Sequence, residues 1–312
     1  MSNRFRPAWL LVLAALSTSA LAKAPETVNI GYQKANIFAL LKYRGTLDES
    51  LKKQGIAVRW VEFPAGPQML EGLNVGSIDL AAGTGDAPPA FAQAAQADLV
   101  YLAHSPANPK TEAIVVPEQS AIHSVADLKG KRVGLNKGSD VNYLLVAALE
   151  KAGLSYKDIT PVYLPPADAR AAFQRGAIDA WVIWDPFLAE VETNAKARQI
   201  RNAEGLVPHY TFYLASRKFA DTYPETAKQV VDELGKLSAW ANSHQDEAAG
   251  LLSTSTGLDK GIWLKTLARL PYGAERMTPA VYNEQQALAD TFTRIGLLPV
   301  KVDVRSATWS LD

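Results

Sequence analysis

The 312-residue chain sets 32 Lys and Arg against 32 Asp and Glu and contains no cysteine. This excludes disulfides, thiol nucleophiles, thiolate metal sites and a lipid-anchored cysteine, and gives no electrostatic reason to expect nucleic acid or anionic membrane as a partner. The length exceeds what one typical core needs and suits two domains.

Residues 1–22 read as a signal peptide: Arg4 and Arg6 open it, an apolar stretch runs from 8 to 16, and Ala20-Leu21-Ala22 is a small-residue cleavage site. The stretch is too short to cross a bilayer, so export with cleavage after Ala22 is expected, most simply to a periplasm. The 290 residues that remain carry 30 basic and 32 acidic side chains.

Residues 28–32 alternate apolar and polar as a strand, with Gln33 in the loop behind it. A short helix at 47–54 is closed by Gly55, and a strand follows at 57–63. Pro64 and Pro67 then start a helix that ends at Gly76. A strand at 80–82 runs into Gly83-Thr84-Gly85-Asp86, where Asp86 suits the N-cap of a helix carrying Pro88 and Pro89 in its first turn. Residues 99–103 give another strand. This rhythm predicts a mainly parallel sheet with helices on both faces.

Residues 113–116 leave that lobe. The second lobe shows a strand at 132–135, the loop Asn136-Lys137-Gly138-Ser139, a helix at 140–152 and a strand at 160–164. A helix at 166–174, Gly176 and a strand at 180–183 stopped by Trp184-Asp185-Pro186 complete it. The order helix, Gly, Ile, Asp, strand, loop occurs twice, with Ile78-Asp79 matched by Ile178-Asp179, which points to two lobes built alike. Residues 212–215 form a strand returning to the first lobe, and helices at 224–242, 245–252, 260–267 and 279–295 follow. The expected organisation is α/β with two lobes: residues 23–115 and 216–312 in lobe 1, residues 116–215 in lobe 2, and strands 113–116 and 212–215 as a two-strand hinge.

Gln33, the 83–86 loop, Gly138-Ser139 and Trp184-Asp185 each follow the C-terminal end of a predicted strand, the edge where open α/β sheets bind ligands. The second and third run into helix N-termini, whose free N–H groups attract anions. Asp86 and Ser139 also read as helix caps, Asp185 as a cap before Pro186, Trp181 as core and Trp184 as a residue lining the cleft. Nucleophile-elbow, zincin and phosphate-loop patterns are missing, and Pro88 takes the third glycine position of a dinucleotide fingerprint. His104, His123, His209 and His244 lack metal spacing and read as exposed or capping residues. No cofactor, metal or catalytic residue is expected.

Gly31-Tyr32-Gln33-Lys34, the run from Trp60 to Glu71, Asn74 to Leu80, Thr84-Gly85-Asp86 and the stretch from Pro166 to Pro186 together resemble the aliphatic sulfonate-binding proteins of ABC transporters. The resemblance implies a type II periplasmic-binding-protein fold that closes on an alkanesulfonate and delivers it to a membrane permease, as a monomer and without catalysis. It implies Gln33, Thr84, Gly85, Gly138, Ser139 and Trp184 as the headgroup set, with Asp86, Asn142, Asp185, Phe212 and Tyr213 in a second rank. Taurine, sulfate esters, nitrate and thiamine-precursor pyrimidines are the alternative ligands within the fold, and a periplasmic enzyme on the same scaffold is the alternative class. The chain departs from the family pattern at Gly138-Ser139-Asp140-Val141, where an acid and an apolar residue replace small polar ones.

Overall fold

The strands of the chain form two five-stranded sheets in a computed structural model that describes residues 24–34 and 36–310. The expected signal segment lies outside the described residues. In chain order the strands are β1 (Thr27–Tyr32), β2 (Ala57–Glu62), β3 (Leu80–Thr84), β4 (Leu99–His104), β5 (Glu112–Pro117), β6 (Arg132–Leu135), β7 (Thr160–Tyr163), β8 (Ala180–Trp184), β9 (Ala197–Asn202) and β10 (Phe212–Ser216). One sheet runs β2-β1-β3-β10-β4 and the other β7-β6-β8-β5-β9.

Each sheet has three parallel strands at one side. Its fourth strand is antiparallel to both of its neighbours. That fourth strand is β10 in the first sheet and β5 in the second. Strand β5 therefore belongs to the second sheet and β10 to the first, whereas the sequence reading groups residues 113–115 with lobe 1 and residues 212–215 with lobe 2. The chain crosses between the sheets through residues 105–111 and 203–211, which hold no strand. The crossings are tied to each other: Ser105 N–H donates to the Thr211 carbonyl at 2.8 Å and Asn108 N–H to the His209 carbonyl at 2.9 Å.

The Ile-Asp repeat does the same work in both sheets. Asp79 accepts from the Asn29 backbone N–H at 2.8 Å, and Asp179 accepts from the Arg132 backbone N–H at 2.8 Å. Each acid thus pins the first parallel strand to the third. The preceding isoleucines lie over glycines of β1 and β6: a Cβ on Gly31 or Gly134 would meet the Cδ1 of Ile78 or Ile178 below 3.0 Å.

Alternation along the strands sends side chains to both faces of each sheet. Val28, Ile30 and Tyr32 pack under the helices Ile37–Arg44, Pro224–Ser243 and Gln245–Thr256. Ala81, Leu99 and Tyr101 face the helices Gly66–Asn74, Ala87–Ala94 and Pro279–Arg294. In the second sheet Ile114, Val116 and Val182 meet the helix Asp140–Lys151, while Trp181 and Ile183 meet Pro166–Gln174 and Phe187–Asn194. The helix Lys260–Leu267 reaches across to Phe187–Asn194, so the C-terminal helices do not serve the first sheet alone. Among the described residues no helix is long and apolar enough to cross a membrane.

Three elements escape the sequence pattern, among them the short helix Arg217–Thr222. Ile37–Arg44 begins with five buried residues in succession, a run without the helical period. Ala197–Asn202 is an edge strand, half-buried throughout and mostly polar.

Candidate functional site

Loops from both sheets and both crossings converge on a cavity of about 70 Å³. That is room for a few heavy atoms, since one water needs about 10–15 Å³ on the same measure. Gln33, Asn36, Gly83 and Gly85 line it from the first sheet, and Asp140, Trp184 and Asp185 from the second. Thr111, His209 and Thr211 come from the crossings, and Leu270 follows a C-terminal helix.

The first-sheet wall is built by Asn36. Its Oδ1 accepts from the N–H groups of Phe38 and Ala39 and caps the helix, while its Nδ2 donates to the carbonyls of Ala82 and Gly83 at 2.8 and 3.1 Å. Gly83 sits at a φ of 79°, and a Cβ there would press on Asn36 Nδ2 at 2.7 Å. Gln33 Nε2 donates to the same Gly83 carbonyl at 3.2 Å. The amide of Gln33 and the backbone after β3 therefore form one polar rim.

Four titratable side chains meet at and behind the cavity wall, Asp140 and His209 lining it and Glu112 and Asp86 behind them. His209 Nδ1 lies 3.7 Å from Glu112 Oε2 and 3.8 Å from Asp86 Oδ2, and its Nε2 lies 3.6 Å from Asp140 Oδ2. All four are buried, and both Glu112 oxygens, Asp86 Oδ1 and His209 Nδ1 lack a hydrogen-bond partner. Burial favours the neutral imidazole, but the fields of Glu112, Asp86 and Asp140 outweigh it and push His209 up to about 10. Burial pushes Asp140 up to about 6 against the pull of His209. Glu112 is raised well above the carboxylate range, first by burial and then by Asp140 and Asp86, with His209 opposing. Glu112, Asp140 and His209 each bring one possible metal-ligand atom within 4.8 Å of the others.

Beside the cavity, Asp185 Oδ1 accepts from Ala189 N–H at 2.9 Å and faces Arg269 at 3.5 Å. Burial pushes Asp185 up to about 7, with Arg269 opposing. Arg269 also pairs with Glu192, which Lys265 holds at 2.8 Å. This network ties the C-terminal helices to the second sheet, and Arg294 with Glu150 at 2.9 Å forms another surface tie.

Of the residues expected at the site, Gln33, Gly85, Trp184 and Asp185 line the cavity. Thr84 is fully buried behind it, with Oγ1 unpartnered. Asp86 occupies the N-cap position but its carboxylate accepts no capping bond; it faces His209 instead. Ser139 likewise does not cap its helix, because its Oγ donates to the Asn136 carbonyl at 2.8 Å. Asn142 Oδ1 accepts from Gly138 N–H at 3.2 Å and braces that loop from inside. Gly138 opens on a separate groove beside Phe91. Phe212 and Tyr213 belong to the core of the first sheet: Phe212 packs edge-on to Tyr101, and the Tyr213 hydroxyl donates to the Gly273 carbonyl.

The NMT1-like family matches residues 22–253 of the chain. An aliphatic sulfonates-binding protein of Escherichia coli K12 is 44% identical over 301 residues, covering 95% of this chain and 93% of that protein. The chain belongs to the aliphatic sulfonate-binding family. A second member, from Bacillus subtilis 168, is 32% identical over 91% of this chain and 86% of its own length. The structure of the alkanesulfonate-binding protein of Xanthomonas axonopodis pv. citri bound to MOPS superposes with a TM-score of 0.87 at 44% identity, covering 92% of this chain and 99% of that one.

For this family member, sequence reasoning missed Asn36, Thr111, Glu112, His209 and Arg269. His209 and His104 are buried, not exposed or capping: His104 Nδ1 lies 2.6 Å from the Ser105 carbonyl oxygen. Asp140 alone left a signal, as the acid that interrupts an expected small polar run.

Proposed function

We propose that this chain is the substrate-binding component of an ABC importer. It takes up an aliphatic sulfonate in the periplasm between two lobes and delivers it, unaltered, to a membrane permease. In this reading residues 24–104 and 212–310 form one lobe and 112–202 the other, with the two crossings as the hinge. The observation that carries it, beside the family membership, is a small cavity walled by strand ends of both sheets.

A sulfonate is permanently charged, so it asks for fixed donors and no proton transfer. The Gln33 amide and the backbone N–H groups at Gly85 and the following helix start supply neutral donors on the first-lobe side. Trp184 covers the alkyl part from the second lobe. Thr84 Oγ1, buried without a partner, is a further donor a small shift away. Ser139 and Gly138 hold the second-lobe helix in place, with Asn142 beneath them. Contact with both lobes gives the ligand a higher affinity for the closed form, which is the form a permease can distinguish.

Calorimetric titration of the mature chain with C2 to C8 alkanesulfonates, sulfate and nitrate tests the reading. At least one sulfonate binds more tightly than sulfate and nitrate. Tight nitrate binding with no response to any sulfonate overturns it.

A further inference from the structure

The floor of the cleft is built for positive charge. Among the described residues a single cation, His209, stands around Asp86, Glu112 and Asp140, and Arg269 is shared between Asp185 and Glu192. Four carboxylate oxygens in this neighbourhood are buried without a hydrogen-bond partner: both of Glu112, Oδ1 of Asp86 and Oδ2 of Asp185. Glu112 is 0% exposed, so no bulk water reaches it. A sulfonate only accepts, so it satisfies none of these oxygens while they are ionised. A bare alkanesulfonate would also add a like charge beside Asp140 and Asp185, which line the cavity.

We infer that the cleft selects sulfonates that also carry an ammonium group, the cation lying toward Asp140 and Asp185 under Trp184 and the sulfonate toward Gln33 and Gly85. An ammonium brings three N–H donors and one positive charge to Asp185 Oδ2, which has no hydrogen-bond partner, and to Asp140, which shares the cation His209 with Glu112 and Asp86; the Trp184 ring adds a face that attracts cations. A divalent ion suits the geometry less well. Glu112, Asp140 and His209 bring ligand atoms within 4.8 Å of one another, but Glu112 does not line the cavity, and an ion held there would leave Asp185 Oδ2 on the cavity wall unmet. This inference rests on the sulfonate reading above and narrows it.

The test titrates the mature chain, in buffer with EDTA, with matched pairs: taurine against ethanesulfonate, and homotaurine against propanesulfonate. The amine member of at least one pair binds at least ~10-fold more tightly, the scale of a hydrogen bond to a charged group. Replacing Asp140 by Asn (D140N) keeps the side chain's shape and brings that ratio to near one. Equal or tighter binding of the plain sulfonates overturns the inference while leaving the sulfonate reading intact. No binding of any of the four sulfonates overturns both. Plain sulfonates that gain affinity only when zinc replaces EDTA overturn it in favour of a metal site. A ratio unchanged in D140N overturns the place assigned to the ammonium.

Discussion

Gly85 and Asp140 approach so closely that a Cβ built on the glycine would stand 2.6 Å from the Asp140 Cβ. One residue follows β3 of the first sheet and the other opens a helix of the second, so this is a point where the two halves touch. Gly85 has no left-handed φ to excuse it; its lack of a side chain is a matter of space.

Gly85→Ala is expected to hold the cleft open. The opposing atoms are a Cβ and a carboxyl carbon at a helix start, which cannot swing aside as a flexible side-chain end would. Overpacking of this kind costs about 1–3 kcal/mol, or roughly 5- to 150-fold in affinity. Calorimetry should show that loss while the ligand-free melting temperature stays near that of the parent. An unchanged affinity would show that the halves do not close on this contact.

Arg269 is the cation facing Asp185, a side chain only 2% exposed, while Glu192 keeps Lys265 as a second partner. Arg269→Met therefore leaves one buried carboxylate uncompensated and should cost about 3 kcal/mol in chemical denaturation. Adding Asp185→Asn should return most of it, since the unpaired charge is then gone. A double variant as unstable as Arg269→Met alone would place the loss in packing of the arginine stem instead.

What the sequence showed and hid follows from range. The Gly-x-Ile-Asp repeat was legible because its parts lie within four residues, and both copies do the same work on neighbouring strands. The strand ends at Gln33, Gly85 and Trp184 were legible for the same local reason. Parallel and antiparallel strands share one side-chain period, so nothing in β5 or β10 announced its direction or its sheet. His209 lies in a strandless crossing at a φ of 52°, and its neighbours come from positions 86, 112 and 140. Such a cluster has no spacing to read.

The repeat makes a stability prediction. Gly31→Ala and Gly134→Ala each push a Cβ into the Cδ1 of an isoleucine that is buried, at Ile78 and Ile178. Each should destabilise by about 1–3 kcal/mol through overpacking. Shortening the isoleucine to Val in the same chain removes the struck atom and should restore part of the loss. Thermal unfolding of the two single and two double variants checks this; additive losses would mean that the pairs do not touch.

The buried acids set the pH response. Burial raises Asp185 to about 7 and Asp140 to about 6, both above the ordinary carboxylate value of about 4. A carboxyl raised on folding favours the folded state in its protonated form, so its contribution is full below pH 4 and is lost as pH climbs through the raised value. His209, raised to about 10, has the same sign over a higher window: its contribution is full below pH 6.5 and is lost toward 10. Asp179 and Glu192, whose carboxyls are lowered, act only below about pH 4 and leave the range from 5 to 7 to the raised carboxyls, which include Glu112 and act with the same sign. Melting temperature should therefore fall from pH 5 to pH 7, with at most about 1.4 kcal/mol per pH unit for each proton lost. Asp185→Asn removes a group raised to about 7 and should lessen the fall above pH 6. A parent protein that gains stability from pH 5 to 7, or a variant with the parent's slope, would show that Asp185 is ionised throughout and paired more strongly with Arg269 than its 3.5 Å separation provides.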